Sequence, residues 1–320
     1  MAWLALAALA AALVVVLLAN HARAYVQRVN AEYPPQGRFI DADGARIHVR
    51  EAGMAGAPPL LLIHGASANL LELWGPLADE FSPLHRVIAY DRPGMGHSTR
   101  ARRDAHTLKS QARIAARVLA ETCSEPAVIV AHSLGSAVAL RLALDHPRLV
   151  RGLVLIAPAS NPYPGKPAWW ARLSASPIVG SLFCKLLIPF LGPLMSSNSV
   201  ANNFWPAPTP VNYLRDAGVP LVFRPAAFRA SAQDVCASKA EFAAQQPRYA
   251  ELLTPAVIVT AEKDRVVSPK RHARALALDL PAAELVIAPE TGHMPHRLRT
   301  DLVVAAIRRV NELTSQAAQA

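Results

Sequence analysis

Six short apolar runs, each closed by turn-forming residues, recur along this chain: Leu60–Ile63, Val87–Tyr90, Ala127–Val130, Leu153–Ile156, Val257–Thr260 and Leu285–Ala288. A strand with one wet face alternates apolar and polar residues, so runs that are apolar at every position read as strands buried on both faces. Between them, Leu108–Leu119 and Ser136–Leu144 carry apolar residues at three- and four-residue spacing, the period of a helix packed along one side. This strand–helix alternation predicts an α/β fold, a mostly parallel, doubly wound sheet with helices on both faces. Ahead of it, Arg38–Ile40 and Ile47–Arg50 flank Asp43-Gly44, which predicts a hairpin. No internal repeat is visible.

The alternation breaks at residues 159–252. Many of the chain's 27 prolines fall between 158 and 225, alongside Trp169, Trp170, Phe183, Phe190 and Trp205, and from His146 to Arg215 there is no Asp or Glu. An insertion between two strands of a doubly wound sheet most simply forms a cap over the strands' carboxyl ends, where such sheets bind ligands. The expected organisation is therefore a core in two parts, 37–158 and 253–313, a cap (lid) over 159–252, and a tail over 314–320. Trp169, Trp170, Phe183, Leu186, Leu187, Ile188, Phe190 and Leu191 are expected either to line an acyl or aromatic pocket or to bury themselves against the core.

Residues 1–20 stand apart. Ala2 to Ala19 is unbroken apolar sequence, enough for about 27 Å of helix, close to the hydrocarbon thickness of a bilayer. We read it as an N-terminal transmembrane anchor followed by a linker over 21–36. No Lys or Arg precedes the run, as a signal peptide's basic start would require, although Ala22-Arg23-Ala24 resembles a cleavage site. Arg23 and Arg28 follow it, which predicts a single pass with the rest of the chain on the cytoplasmic side. Cleavage of residues 1–24 would instead make the protein secreted or periplasmic. The three cysteines (Cys123, Cys184, Cys236) are odd in number and widely spaced, so neither a disulfide framework nor a zinc site is expected. With 52% hydrophobic and 18% charged residues the chain is not a disordered one. The net charge of +10 comes without a basic helix or aromatic-basic motif, so no nucleic-acid partner is expected. Membrane lipid is the more economical partner, against a merely basic soluble surface.

The chemistry concentrates at Val128-Ile129-Val130-Ala131-His132-Ser133-Leu134-Gly135-Ser136-Ala137, where a buried strand runs directly into a helix. Small residues at 131, 135 and 137 permit a sharp turn that lifts the Ser133 hydroxyl out of the sheet. Alanine at 131 departs from the strict G-x-S-x-G pattern, and a serine that merely caps a helix is the plainer alternative. Serine needs an adjacent base to act as a nucleophile. His293, in Thr291-Gly292-His293-Met294-Pro295 after the last strand, is the expected base, with His296 and His132 as competitors. Asp264, in Ala261-Glu262-Lys263-Asp264 after a strand, is the expected acid partner, preferred over Glu262. The backbone N–H groups of Ala66, after His64-Gly65, and of Leu134 are the expected oxyanion hole. His64 is read as bracing this loop. Asp91–Ser98 reads as a structured turn, with Arg92 or His97 as candidates to line the entrance.

Four separated motifs, the HGAS loop, the YDRPGMGHS loop, the AHSLGSA elbow and the TAEKD…TGHMPH pair, resemble the α/β-hydrolase fold family over roughly 37–313. The likeness is to its serine-nucleophile, esterase- and lipase-like branch. The resemblance implies a cap after the sixth strand and acyl-enzyme chemistry on Ser133. Haloalkane dehalogenases and epoxide hydrolases place an aspartate at the nucleophile, so Ser133 argues against both. The expectation is a membrane-anchored hydrolase of a carboxylic ester, lipophilic or anionic, that needs no metal or cofactor. Carbon–carbon hydrolysis, acyl transfer or perhydrolysis on the same three residues is the alternative, and a ligand sensor on the same fold a further one. Oligomeric state is not legible.

Overall fold

The structure, a computed structural model, describes residues 1–317. Eight strands form one sheet: β1 (Arg38–Ala42), β2 (Ala45–Ala52), β3 (Pro59–Ile63), β4 (Arg86–Tyr90), β5 (Ala127–His132), β6 (Val150–Ile156), β7 (Ala256–Ala261) and β8 (Ala283–Ala288). Their order is β1-β2-β4-β3-β5-β6-β7-β8. β2 pairs antiparallel with β1 and with β4, and every other pairing is parallel. All six apolar runs and the hairpin are strands.

Strand side chains alternate between two buried layers. Leu61, Ile63, Ile88, Ile129, Leu155 and Ile258 enter one core, whereas Leu60, Leu62, Val87, Val130, Ile156 and Val259 enter the other. This is why every position in the runs is apolar. Burying each such side chain stabilises the fold by about 1.5–3 kcal/mol. The helices are α1 (Ala2–Glu32), α2 (Leu71–Phe81), α3 (Leu108–Thr122), α4 (Leu134–Asp145), α5 (Trp169–Ala175), α6 (Val179–Leu186), α7 (Ile188–Phe204), α8 (Tyr213–Asp216), α9 (Pro225–Gln245), α10 (Ala273–Asp279), α11 (Pro295–Leu298) and α12 (Thr300–Ala317). α3, α4 and α10 supply the first core and α2 and α12 the second. The expected tail thus begins inside α12, and its last three residues, 318–320, lie outside the described residues.

The insertion between β6 and β7 is helical, α5 to α9. Pro189 and Pro225 occupy the first turns of α7 and α9, where a missing N–H costs no helical bond, whereas Pro193 lies inside α7 and removes one. Where the chain enters and leaves the cap, the Tyr249 hydroxyl donates to the Ser160 carbonyl at 2.8 Å. Further ties join cap and core: Asn69 Nδ2 donates to the Ala217 carbonyl, and the Ser67 amide to Ser231 Oγ on α9. Arg92, expected near the entrance, is instead fully buried, donating to Asp234 on α9 (2.9 Å), to Gln111 and to the Gly65 carbonyl. A buried guanidinium requires such partners, and α9 of the cap, α3 and the loop after β3 supply them.

α1 runs on to Glu32, over most of the stretch read as a linker. Ala22, Tyr25 and Val29, three and four residues apart, put one face of its second half against Leu221 and Phe223, and the Tyr25 hydroxyl donates to the Pro220 carbonyl. From Ala2 to Leu17 the helix is exposed all round. This one helix is long and apolar enough to span a membrane.

Candidate active site

β5 ends and α4 begins at Ser133, whose φ of 51° and ψ of −120° lie in a sparsely populated region. Holding a non-glycine residue there costs about 1–3 kcal/mol, so the surroundings must enforce it. They do. The Ser133 amide donates to the Ile156 carbonyl, and its own carbonyl accepts from Ser136 and Ala159. A Cβ on Gly135 would lie 2.5 Å from the Ile63 carbonyl oxygen, so the β3 loop can approach the elbow only because that position is glycine. Ala131 is completely buried, and its methyl is accommodated there.

The three expected residues converge. His293 Nε2 lies 3.0 Å from Ser133 Oγ, and His293 Nδ1 lies 2.7 Å from Asp264 Oδ2. Asp264 Oδ1 accepts the amides of Val266 and Val267 at 2.8 and 2.9 Å. Burial works against its charge, but His293 and these two amides outweigh it and hold the carboxyl below its ordinary pKa. The Lys263 amide donates to the Thr291 carbonyl, pinning the acid's loop to the histidine's. Glu262, the competing acid, is exposed and caps the Glu290 amide.

The amides of Ala66 and Leu134, the expected oxyanion donors, have no acceptor among the described residues. Leu134 is the first residue of α4, where no carbonyl lies one turn back to accept its N–H. His64 braces the loop, as expected: its Nε2 accepts the Arg92 amide, and its Nδ1 lies 2.9 Å from the Gly65 carbonyl. His97 is half-buried, its ring directed at the Tyr33 carbonyl.

Behind the serine lies a group that the sequence reading missed. Glu72, on α2, places Oε1 2.6 Å from His132 Nδ1, and its Oε2 accepts the Gly65 amide at 3.2 Å. His132 Nε2 faces the His293 carbonyl at 2.9 Å. One nitrogen faces a carbonyl and the other a carboxylate, surroundings that favour a proton on both. Burial disfavours that charge, but Glu72 outweighs it and raises the His132 pKa, while burial likewise opposes ionisation of Glu72 and His132 overcomes it, holding the carboxyl well below its usual range. The pair joins the loop before Ala66, the elbow and the His293 loop. His296 sits beside it, fully buried, with its pKa held well below the usual value by burial and then by the His132 charge. Glu72, His132 and His296 offer ligand atoms within 4.8 Å of one another. Ligand atoms on a shared tetrahedral ion stand about 3.3 Å apart, so the 2.6 Å contact is a direct ion pair rather than a metal-ready arrangement. A lone acid amid Leu70, Leu71, Leu73 and Trp74 was the available sequence signal: Glu72 is the one charged residue between Glu51 and Asp79.

His272 accepts the amides of Ser160 and Asn161 on Nδ1, at the point where the cap begins. Burial pushes both His64 and His272 down to about 4, with Arg92 and Arg271 respectively adding to the shift. A depressed histidine stabilises the fold fully above its unfolded value near 6.5, and this is lost as pH falls toward 4. Each shift corresponds to on the order of 3 kcal/mol. The expected result is a urea midpoint that falls steeply as pH drops from 6.5 to 4. A level profile across that window would contradict the buried, neutral state of both rings.

Residues 58–299 match the alpha/beta hydrolase fold family. Among curated proteins, the uncharacterized protein Rv2715 of Mycobacterium tuberculosis is 27% identical over 274 residues, 82% of this chain and 77% of that one. The 2-hydroxymuconate semialdehyde hydrolase of Pseudomonas sp. is 35% identical over 133 residues, 41% of this chain and 46% of that hydrolase, so the match spans less than half its length. Among solved structures, an alpha/beta hydrolase fold protein from Burkholderia ambifaria superposes with a TM-score of 0.71 at 24% identity, covering 85% of this chain and 96% of that one. The strand order, the helical insertion after β6 and the strained serine elbow agree with this match, and the chain belongs to the alpha/beta hydrolase fold family.

Proposed function

We propose that the protein is a membrane-anchored serine hydrolase that cleaves a carboxylic ester through an acyl-enzyme on Ser133. The observation that carries this reading is the unbroken line of hydrogen bonds from Ser133 Oγ through His293 to Asp264, at 3.0 and 2.7 Å. In this mechanism His293 Nε2 takes the Ser133 proton as Oγ attacks the ester carbonyl. Asp264 keeps the second proton on Nδ1 and stabilises the imidazolium. The carbonyl oxygen, now negative, accepts from the Ala66 and Leu134 amides, each such donor being worth on the order of 3 kcal/mol. His293 returns its proton to the leaving alkoxide. It then deprotonates water, which attacks the acyl-enzyme and releases the acid and Ser133. No step calls for a metal or cofactor.

The anchor rests on α1. Its second half packs on the cap through Ala22, Tyr25 and Val29, so cleavage after Ala24 would divide a helix that is part of the folded domain. Arg23 and Arg28 favour a cytoplasmic domain.

Hydrolysis of p-nitrophenyl esters from acetate to palmitate by the full chain in detergent tests the reading. The expected result is turnover that rises with acyl length beyond acetate. Absence of ester turnover, with Ser133 still labelled by a fluorophosphonate, would favour carbon–carbon hydrolysis on the same three residues.

A further inference from the structure

The cap turns apolar side chains outward. Ile178, Val179, Leu182, Phe190, Leu194 and Met195 are all exposed, Ile178 at 76% and Leu194 at 71%. They come from the end of the α5–α6 turn, from α6 and from the first half of α7. Opposite faces of the same two helices are packed, with Gly180, Cys184, Ile188 and Gly192 buried. Of these six only Phe190 is among the cap residues expected to line a pocket or to bury against the core, and it too is exposed. A contiguous outward patch of this kind marks a surface that meets something other than water.

α1 identifies what it meets. Both α6 and α7 pack against α1, and the His21 ring stands edge-on to Phe190 with centroids 5.6 Å apart. Along α1 the exposure changes at this contact: Ala2 to Leu17 is bare, Leu18 and Ala19 are half-covered, and Ala22 is buried. The patch therefore lies where the membrane-length helix leaves the domain. Its charges suit the same neighbour. Lys166, Arg172 and Lys185 are exposed around it, in a segment with no Asp or Glu from His146 to Arg215.

We propose that α6 and α7 form a wedge that lies in the interfacial layer of the same membrane, among anionic headgroups, with the cap facing the lipid. α6 and α7 turn 73° against each other, and neither spans a bilayer by itself. An amphipathic helix in this position sinks its apolar face about 5–10 Å into the headgroup and acyl boundary. The helical insertion follows β6, and Ser133, Asp264 and His293 stand at the carboxyl ends of β5, β7 and β8, so the wedge holds the cap and the residues beneath it against the bilayer. Resting on the proposed ester hydrolysis, this makes the substrate an ester dissolved in the membrane rather than one free in water.

The test uses the full chain in vesicles of phosphatidylcholine and phosphatidylglycerol, with acyl chains brominated near the headgroup to quench tryptophan on contact. In a background in which Trp3, Trp74, Trp169, Trp170 and Trp205 are all replaced by Phe, Leu194→Trp places a single reporter on the wedge. Leu84→Trp places one on an exposed site before β4, at the sheet end remote from the cap. Quenching of the first reporter but not of the second is expected. Equal, weak quenching of both, while alkaline carbonate leaves the protein in the vesicles, would overturn the wedge with the anchor intact. So would absence of quenching together with crosslinking of Leu194→Cys to a second copy, which would make the patch a dimer face. A second measurement reads function. Leu182→Asp combined with Leu194→Asp is expected to lower turnover of a vesicle-embedded long-chain ester by about tenfold and to leave soluble p-nitrophenyl acetate turnover unchanged, which also reports that the variant is folded. Equal effects on both esters would overturn the link between wedge and substrate. The quenching result stands whether or not the protein is an esterase.

Discussion

Replacing Ser133 with alanine is expected to lower kcat/KM for any ester that the protein turns over by about 10⁴-fold or more, and to abolish fluorophosphonate labelling. The loss follows from the geometry, because Ser133 Oγ is the atom within hydrogen-bond reach of His293 Nε2. Alanine preserves the amide and carbonyl bonds that hold position 133 at φ 51°. Thermal stability is therefore expected to change by less than about 1 kcal/mol. Residual turnover comparable to wild type, in a variant with an unchanged melting temperature, would remove the acyl-enzyme mechanism. A collapsed melting temperature would show instead that the hydroxyl is structural.

The second large effect is expected at Glu72. Glu72→Ala leaves His132 Nδ1 and the Gly65 amide without the carboxylate they face in a buried site. Removing one partner of a buried ion pair costs about 3–5 kcal/mol. The loops bearing Ala66, Ser133 and His293 also lose their common tie, and misplacement by about 1 Å costs roughly 10²-fold in rate. Glu72→Gln keeps an acceptor for the Gly65 amide but removes the charge, so a smaller loss is expected. The pH dependence separates charge from shape. Glu72 is depressed below 4.5 and His132 raised above 6.5. The glutamate's contribution is present above the unfolded value of about 4.5 and lost as pH falls through its depressed one; the histidine's is present below about 6.5 and lost as pH rises through its raised value. The stability gap between wild type and Glu72→Gln is thus expected to be widest from about pH 4.5 to 6.5 and to narrow in alkali. A gap that ignores pH would show that Glu72 acts through packing alone.

What was legible in the sequence was what local pattern encodes. Runs such as Leu60–Ile63 are apolar at every position because both faces are covered, and that requirement is written in consecutive residues. Ser133, Asp264 and His293 follow strands β5, β7 and β8, and such positions place side chains at one end of the sheet whatever the helices do. Less legible were features made by partners distant in sequence. His132 read only as a competing base, because Glu72, which faces its Nδ1, lies 60 positions earlier on another element. The second half of α1 read as linker, because its buried stripe, Ala22, Tyr25 and Val29, is thin and becomes meaningful only against Leu221 and Phe223. Arg92 read as an entrance residue for the same reason: its acceptor, Asp234, belongs to the cap. The outward turn of Leu182 and Leu194 is invisible to composition, which counts apolar residues without their direction.

The tie between Tyr249 and Ser160 makes the cap a loop whose two ends meet. Apart from the positions that meet the core, such as Ala217, Ser231 and Asp234, what lies between them can be lengthened, shortened or exchanged with little strain on the sheet, since closing a longer loop costs only about 0.6 kcal/mol per doubling of its length. Selection can therefore treat the cap as a cassette. The serine elbow and its partners stay fixed on the strands while recombination or drift rewrites what the enzyme accepts and which surface it inhabits.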